Sequence, residues 1–389
     1  MTIEGHPPQP RRAPAAEGRD DGPPARPDRG PAPRRSGPRR AGVAARAAAA
    51  ALATLLLPAC GDGGARLSFV NHDGVERRAT VDRPAARPTT MGPRPLLVVL
   101  HAGLLSGAST RSELEPLTAM ARRAGVALAF PDAQSLFWND GSLAGALPRA
   151  LSPTGDDIAF LDALIAALVA DGTADPAAVH IAGVSNGGMM AMRYACARAD
   201  RLASVAVFMA TMPPAAEEGC RPSRPLPVLL VAGTADPVVR WTGEVALLGG
   251  VAVLQRRMSV PETFAFWRRA NGCAGEPAPA RPLPRRGSGS EPDVLVHAAN
   301  GCAGGVRTLL YEVRGGGHRL SAGDDWTLLR LLGRATPDID PGALMLDFVL
   351  DPGGVPGLGQ AARRSPADFQ HRPGPRATPV RSAAGRDMR

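Results

Sequence analysis

Apolar and polar positions along the chain fall into two alternating patterns. Runs that are apolar almost throughout, at residues 96–100, 126–130, 179–183, 203–209, 226–232 and 308–313, predict strands buried on both faces. Between them, apolar residues three and four apart predict helices over 111–124, 155–169 and 189–198. In the second of these, Ile158, Leu161, Ile165, Leu168 and Val169 make one stripe, acids fill the first turn, and Asp171-Gly172 ends it. Prolines open two more helices, at 261–270 and 341–350. Ahead of all these, 67–71 and 75–81 flank Asp73-Gly74, a hairpin signal. Strands alternating with helices predict an α/β domain with a mostly parallel, twisted sheet, opened by an N-terminal antiparallel hairpin and covered by helices on both faces. Residues 280–293, rich in Pro, Arg, Gly and Ser, read as a surface loop without core content.

The pattern stops at both ends. Residues 1–40 are rich in Pro, Arg and Gly without apolar periodicity, so they cannot bury enough surface to offset chain entropy and are expected to be disordered. Residues 41–60 read as a secretory signal: Arg39, Arg40 and Arg46 before an apolar run that ends in Leu57-Pro-Ala-Cys60. The run is too short for a permanent membrane span. Its ending resembles a bacterial lipoprotein signal, in which Cys60 becomes lipidated and anchors the protein to a membrane. Pro58 is unusual in such a box, and simple cleavage and secretion is the alternative. A signal normally starts the chain, so an over-extended start with Val43 as the initiator is a further reading. The folded domain is expected over 65–352, and 353–389 reverts to a disordered composition.

Export bears on the remaining cysteines. Cys196, Cys220, Cys273 and Cys302 are an even set, and in an oxidising compartment they allow three pairings. Chain order suggests Cys196–Cys220 and Cys273–Cys302.

Charge changes the picture less than the total suggests. A net charge of +9 would point to nucleic acid. The excess sits in the tails: residues 1–46 hold 10 Arg against 5 acids and residues 351–389 hold 7 against 3, which leaves 28 of each between them. The middle is not a polyanion binder. The chain has no lysine, which excludes a Walker-A phosphate loop, Schiff-base catalysis and a Ser–Lys dyad.

The candidate chemistry centres on Gly183-Val-Ser-Asn-Gly187, a G-x-S-x-G elbow between a predicted strand and a predicted helix. Small flanking residues permit a tight turn that lifts the Ser185 hydroxyl above the sheet, beside N–H groups able to hold an oxyanion. In such a sheet the acid and then the histidine follow on loops after later strands. The strand at 226–232 delivers Asp236, with Asp293, Asp324 and Asp325 as substitutes. The strand at 308–313 delivers Gly315-Gly-Gly-His318. Of seven histidines, His318 alone follows both serine and acid after a strand end. Ser185 is thus the candidate nucleophile, His318 the base and Asp236 its orienting acid. Asn186 offers one oxyanion donor, and Gly103 or Leu104, just after the strand at 96–100, the other. His101 reads as a shaper of that loop. Trp138 either walls the pocket or packs beneath a loop; Trp241 is a weaker candidate of the same kind.

These residues resemble one family. Leu100-His-Ala-Gly103, Phe130-Pro-Asp132, Phe137-Trp-Asn-Asp140, Asp156-Asp-Ile-Ala-Phe160, Gly183-Val-Ser-Asn-Gly-Gly-Met-Met190, Gly233-Thr-Ala-Asp-Pro237, Asn271-Gly-Cys273, Gly315-Gly-Gly-His318 and Thr336-Pro-Asp-Ile-Asp340 occur in the order found in the secreted polyhydroxybutyrate depolymerase / feruloyl esterase family. These are LpqC-like enzymes related to carbohydrate esterase family 1, and the resemblance covers about residues 66–350. It implies an α/β-hydrolase fold, an extracytoplasmic location, disulfides near the positions above, and hydrolysis of a polymeric or oligomeric ester through an acyl-enzyme, with no metal or organic cofactor. The family has His-Gly-Gly where His101-Ala-Gly stands here, and aromatic residues where Arg319 and Leu320 follow His318. A general lipase or prolyl-oligopeptidase-like hydrolase, and a binding lipoprotein on the same fold, are the rival expectations.

Overall fold

The computed structural model describes residues 65–70, 74–84, 94–141, 153–212, 219–244, 246–248, 251–254, 257–286, 293–320 and 329–358. Contacts divide the chain into units 1–50 and 51–389, and every described residue lies in the second. The expected disordered extension, the signal segment, Cys60, Asp73, Asp324, Asp325 and most of the tail after residue 353 lie outside the described residues.

The sheet is built from runs with no polar face. β3 (Leu96–Leu100), β4 (Ala127–Pro131), β5 (Val179–Val184), β6 (Ser204–Phe208) and β7 (Val228–Gly233) are buried at every position. β12 (Thr308–Val313) is buried at all but Glu312. Such strands need cover on both sides. α3 (Asp157–Ala170), α4 (Asn186–Arg198) and α5 (Val260–Ala270) supply it on one face. α2 (Glu115–Ala124) and α6 (Pro341–Leu350) supply it on the other.

The hairpin expected at the start forms from β1 (Ala65–Val70) and β2 (Glu76–Asp82), which pair antiparallel. The strand order in the 10-stranded sheet is β1-β2-β4-β3-β5-β6-β7-β12-β11-β10, where β10 is Arg281–Pro282 and β11 is Val294–Ala299. From β4 through β12 every pairing is parallel. A separate pair, β8 (Ala246–Leu248) with β9 (Val251–Leu254), is antiparallel.

The sheet goes beyond the expectation at its far edge, and two other expectations need correction. The sheet has antiparallel strands at both edges, because β12 is followed in space by β11 and β10. The segment 280–293 therefore carries an edge strand, and Leu283, whose N–H bonds Val294 O, is buried in the core. The Leu283 side chain packs into the core cluster at that edge. The helix expected over 111–124 is two: α1 (Gly107–Glu113) and α2, broken at Leu114. Pro116 lacks the N–H that a continuous helix would give to Ser112, so the chain re-enters helix with proline in the first turn.

Candidate active site

The elbow is held by backbone that leaves no room for side chains. Ser185 follows β5 directly and sits at φ 53°, ψ −120°, a conformation that costs a non-glycine residue of order 1–3 kcal/mol. Its N–H bonds Phe208 O of β6 at 2.8 Å, and its C=O accepts Met189 N–H in the first turn of α4. A Cβ on Gly183 would stand 2.1 Å from Gly187 O, and one on Gly187 would stand 2.4 Å from Leu100 O and His101 O. The two glycines of the motif are therefore steric requirements of the turn.

The acid and the histidine come from the ends of β7 and β12. Asp236 is buried, and its Oδ1 accepts the N–H groups of Val238 and Val239, each at 2.8 Å. That leaves Oδ2 facing His318 Nδ1 at 2.7 Å. His318 Nε2 lies 2.9 Å from Ser185 Oγ. The two loops meet backbone to backbone: Ala235 N–H donates to Gly316 O, and a Cβ on Gly233 would reach Gly316 O at 2.2 Å. His318 N–H is fixed by Leu332 O at 2.6 Å. The structure thus brings Ser185, His318 and Asp236 into one hydrogen-bonded series across three strand ends.

Asn186 and Gly103 stand side by side, since a Cβ on Gly103 would lie 3.7 Å from Asn186 Cβ and 2.6 Å from the Phe137 ring. Leu104 is different. Its N–H donates to Leu136 O at 2.7 Å and is not available to an oxyanion, so of the two candidates for the second donor Gly103 remains. Leu104 itself has φ 67° and is 65% exposed. Ala102, the departure from the His-Gly-Gly pattern, packs its methyl into the core on the α2/α6 face.

The Asn186 side chain serves a purpose the sequence did not reveal. Its Oδ1 accepts Trp138 N–H at 2.7 Å, and its Nδ2 donates to Trp138 O and to Asp140 Oδ2 at 2.9 Å. One side chain therefore clamps the Phe137–Asp140 loop to the first turn of α4. The loop is held from below as well. Asp157 accepts Asn139 N–H and Arg77 Nη2, both at 2.6 Å, while Arg77 lies over the Phe160 ring. Burial pushes the Asp157 carboxyl pKa up, against the opposing pull of Arg77. Trp138 is 0% exposed, and its Nε1–H donates to His101 O at 3.1 Å. With no exposed surface it is the packing tryptophan of this loop and does not wall a pocket, and its indole N–H is satisfied within the fold. Phe137, half-buried against Gly103, is the aromatic ring at the oxyanion loop. Trp241 is half-buried against the core cluster that holds α4 and α5.

His101 shapes its loop as expected. Ala133 N–H donates to Nε2 at 3.0 Å, which puts the proton on Nδ1, 2.8 Å from Ala102 O. Burial holds its pKa below the usual histidine value. Arg319 and Leu320 line a cavity of about 30 Å³ with Phe208, Met209, Arg334 and Ile339, behind the histidine loop. Among the described residues, no group of three or more His, Cys, Asp or Glu side chains could hold a metal ion. The four cysteines form Cys196–Cys220 and Cys273–Cys302, the pairing that chain order suggested.

A mostly parallel sheet with an elbow serine, and an acid and a histidine from later strand ends, defines an α/β-hydrolase. No protein-family model matches the chain. It is 31% identical over 264 residues to the putative esterase NocK of Nocardia uniformis subsp. tsuyamanensis, covering 66% of this chain and 74% of that protein. It is 30% identical over 198 residues to feruloyl esterase B of Piromyces equi, covering 46% of this chain and about a third (34%) of that longer protein. Among solved structures, acetyl xylan esterase from Aspergillus awamori aligns at 12% identity and a TM-score of 0.44, over 62% of this chain and 89% of that one. LpqC, a poly(3-hydroxybutyrate) depolymerase from Bordetella parapertussis, aligns at 18% and 0.39, over 53% and 77%. The chain belongs to the polyhydroxybutyrate depolymerase / feruloyl esterase family of α/β-hydrolases.

Proposed function

We propose that this protein is a serine esterase that hydrolyses carboxylic esters through an acyl-enzyme. The observation that carries the reading is the unbroken hydrogen-bond series from Ser185 Oγ through His318 to Asp236. With its proton on Nδ1, facing Asp236, the imidazole offers a free Nε2 to the serine hydroxyl. As Ser185 Oγ attacks the ester carbon, its hydroxyl proton moves to Nε2, Nδ1 keeps its own, and Asp236 stabilises the imidazolium. The carbonyl oxygen becomes an oxyanion held by the N–H groups of Asn186 and Gly103. Collapse expels the alcohol, protonated by His318. A water, deprotonated by the same ring, then releases the acid and restores the serine.

Two features favour a polymeric or oligomeric ester. Leu104, Leu105 and Leu136 are exposed on the two loops that meet beside Gly103, and Leu331 is exposed next to Leu332, which holds His318. An apolar rim suits an apolar chain. The family relatives carry names of esterases for feruloyl groups, acetylated xylan and poly(3-hydroxybutyrate). Export, with or without a lipid on Cys60, is part of the same reading: the signal-like segment motivates it, and two closed disulfides support it.

Treatment with a fluorophosphonate probe, followed by peptide mapping, tests the reading. Labelling at Ser185 that disappears after heat denaturation is expected. A native protein that takes no label would overturn it and leave a binding protein on a hydrolase fold. A panel of hydroxybutyrate oligomers, methyl ferulate and acetylated xylan then sorts the ester class.

A further inference from the structure

Among the described residues, Arg257 is a buried cation with no carboxylate within salt-bridge distance. It is 7% exposed, its Nε has no hydrogen-bond partner, and its Nη1 meets only the thioether of Met189, at 2.7 Å. Among the described residues it makes no salt bridge. Burial pulls its pKa down, and the attraction of Asp140, which is engaged by Asn186, offsets this only in part. A guanidinium kept in such a place is costly, and a methionine would fill the same volume without the penalty.

Its position is specific. Arg257 N–H donates to Gly243 O at 3.0 Å, and a Cβ on Gly243 would strike Arg257 O, so the residue is clamped to the loop that follows Asp236. Its side chain crosses to Met189, whose N–H bonds Ser185 O. Arg257 therefore spans from the acid-bearing loop to the serine-bearing helix, in a stretch whose Val260 N–H bonds Trp241 O.

We propose that the Arg257 guanidinium receives a free carboxylate of the substrate, and that the site prefers short oligoesters of hydroxy acids, cleaved near their carboxylate end. The inference rests on the esterase reading above and deepens it. A planar guanidinium pairs with a carboxylate through two parallel hydrogen bonds, which satisfies its idle donors and neutralises its charge together. Among the ester classes above, a hydroxy-acid oligomer end places a carboxylate a few bonds from a scissile ester, whereas methyl ferulate and acetylated sugars carry none. The apolar rim then accommodates the rest of the chain.

The test compares the 3-hydroxybutyrate dimer, with its free carboxylate, against the same dimer capped as its primary amide. Both are followed by chromatography of the products, with wild type, Arg257→Met and Arg257→Lys. Wild type is expected to favour the acid by about tenfold or more in kcat/KM, chiefly through KM. In Arg257→Met the ratio falls to about one, and Arg257→Lys recovers part of it. A merely structural role would lower both substrates together and leave the ratio in place; that outcome overturns the proposal. So does a wild-type ratio near one, which needs no variant and decides the matter even where Arg257→Met fails to fold. Turnover of p-nitrophenyl acetate by wild type separates the two levels. If it is present without an acid preference, this inference alone fails. If it is absent, the esterase reading fails first.

Discussion

At the scale of single residues, the site is a set of positions where backbone and side chains meet with no slack. Ser185 holds a strained φ/ψ because Phe208 O, Gly183 and Gly187 fix its flanks, and this presents the hydroxyl to His318. The two glycine contacts predict different losses. Gly187→Ala would press a methyl into Leu100 O and His101 O, so it should abolish soluble folded protein. Gly103→Ala would press one onto the Phe137 ring, which can turn aside. The second variant should stay folded, with an unchanged Tm, and lose about 10–100-fold in kcat through a displaced oxyanion donor. Asp236→Asn keeps the shape but reverses the tautomer that His318 needs, and should lower kcat by about 10²–10⁴-fold. A measured loss of less than tenfold would remove Asp236 from its role. The serine, acid and histidine were legible in the sequence because each sits where a strand ends. Leu104 was not: its φ and its bond to Leu136 arise between two loops far apart in the chain.

At the scale of elements, burial on both faces makes the central strands readable and makes their polar residues sensitive to pH. His180 of β5 faces its register partner Ser204 of β6, with Nδ1 at 2.7 Å from the hydroxyl. Desolvation pulls its pKa from 6.5 down to about 4. The folded ring stays neutral while the unfolded ring takes up a proton below 6.5. The stabilisation is therefore complete above pH 6.5 and is lost as the pH falls through about 4, amounting to about 3 kcal/mol. His101, shifted in the same direction, adds to it. Chemical denaturation from pH 7 to 4 should show this decline, and a His180→Gln variant should flatten it; an equal slope in both would show that the proton goes elsewhere. Periodicity gave the long helices their places, yet it ran through Leu114 because an apolar stripe carries no record of the N–H that Pro116 lacks. It also passed over β10, whose two residues pair through backbone alone.

At the scale of the molecule, the sheet brings strand ends from residues 184, 233 and 313 to one edge and so assembles a site from segments far apart in sequence. The fold class was legible because alternation of strand and helix leaves few topologies. The second antiparallel edge was not, since β11 mixes buried and half-buried positions next to a segment of loop composition. The disulfides tie elements whose order in the chain is local: Cys196 at the end of α4 to Cys220, and Cys273 after α5 to Cys302. Replacing Cys196 and Cys220 by Ala should cost about 3 kcal/mol, read as a lower Tm that reductant no longer changes at that bridge. The account as a whole stands on Ser185 as the nucleophile of an esterase. Turnover of p-nitrophenyl acetate by wild type and by Ser185→Ala, at equal concentration of folded protein, measures that directly. The account predicts readily measured hydrolysis by wild type and a loss of at least about 10³-fold in kcat for the variant. A variant that keeps its activity to within about tenfold would contradict it.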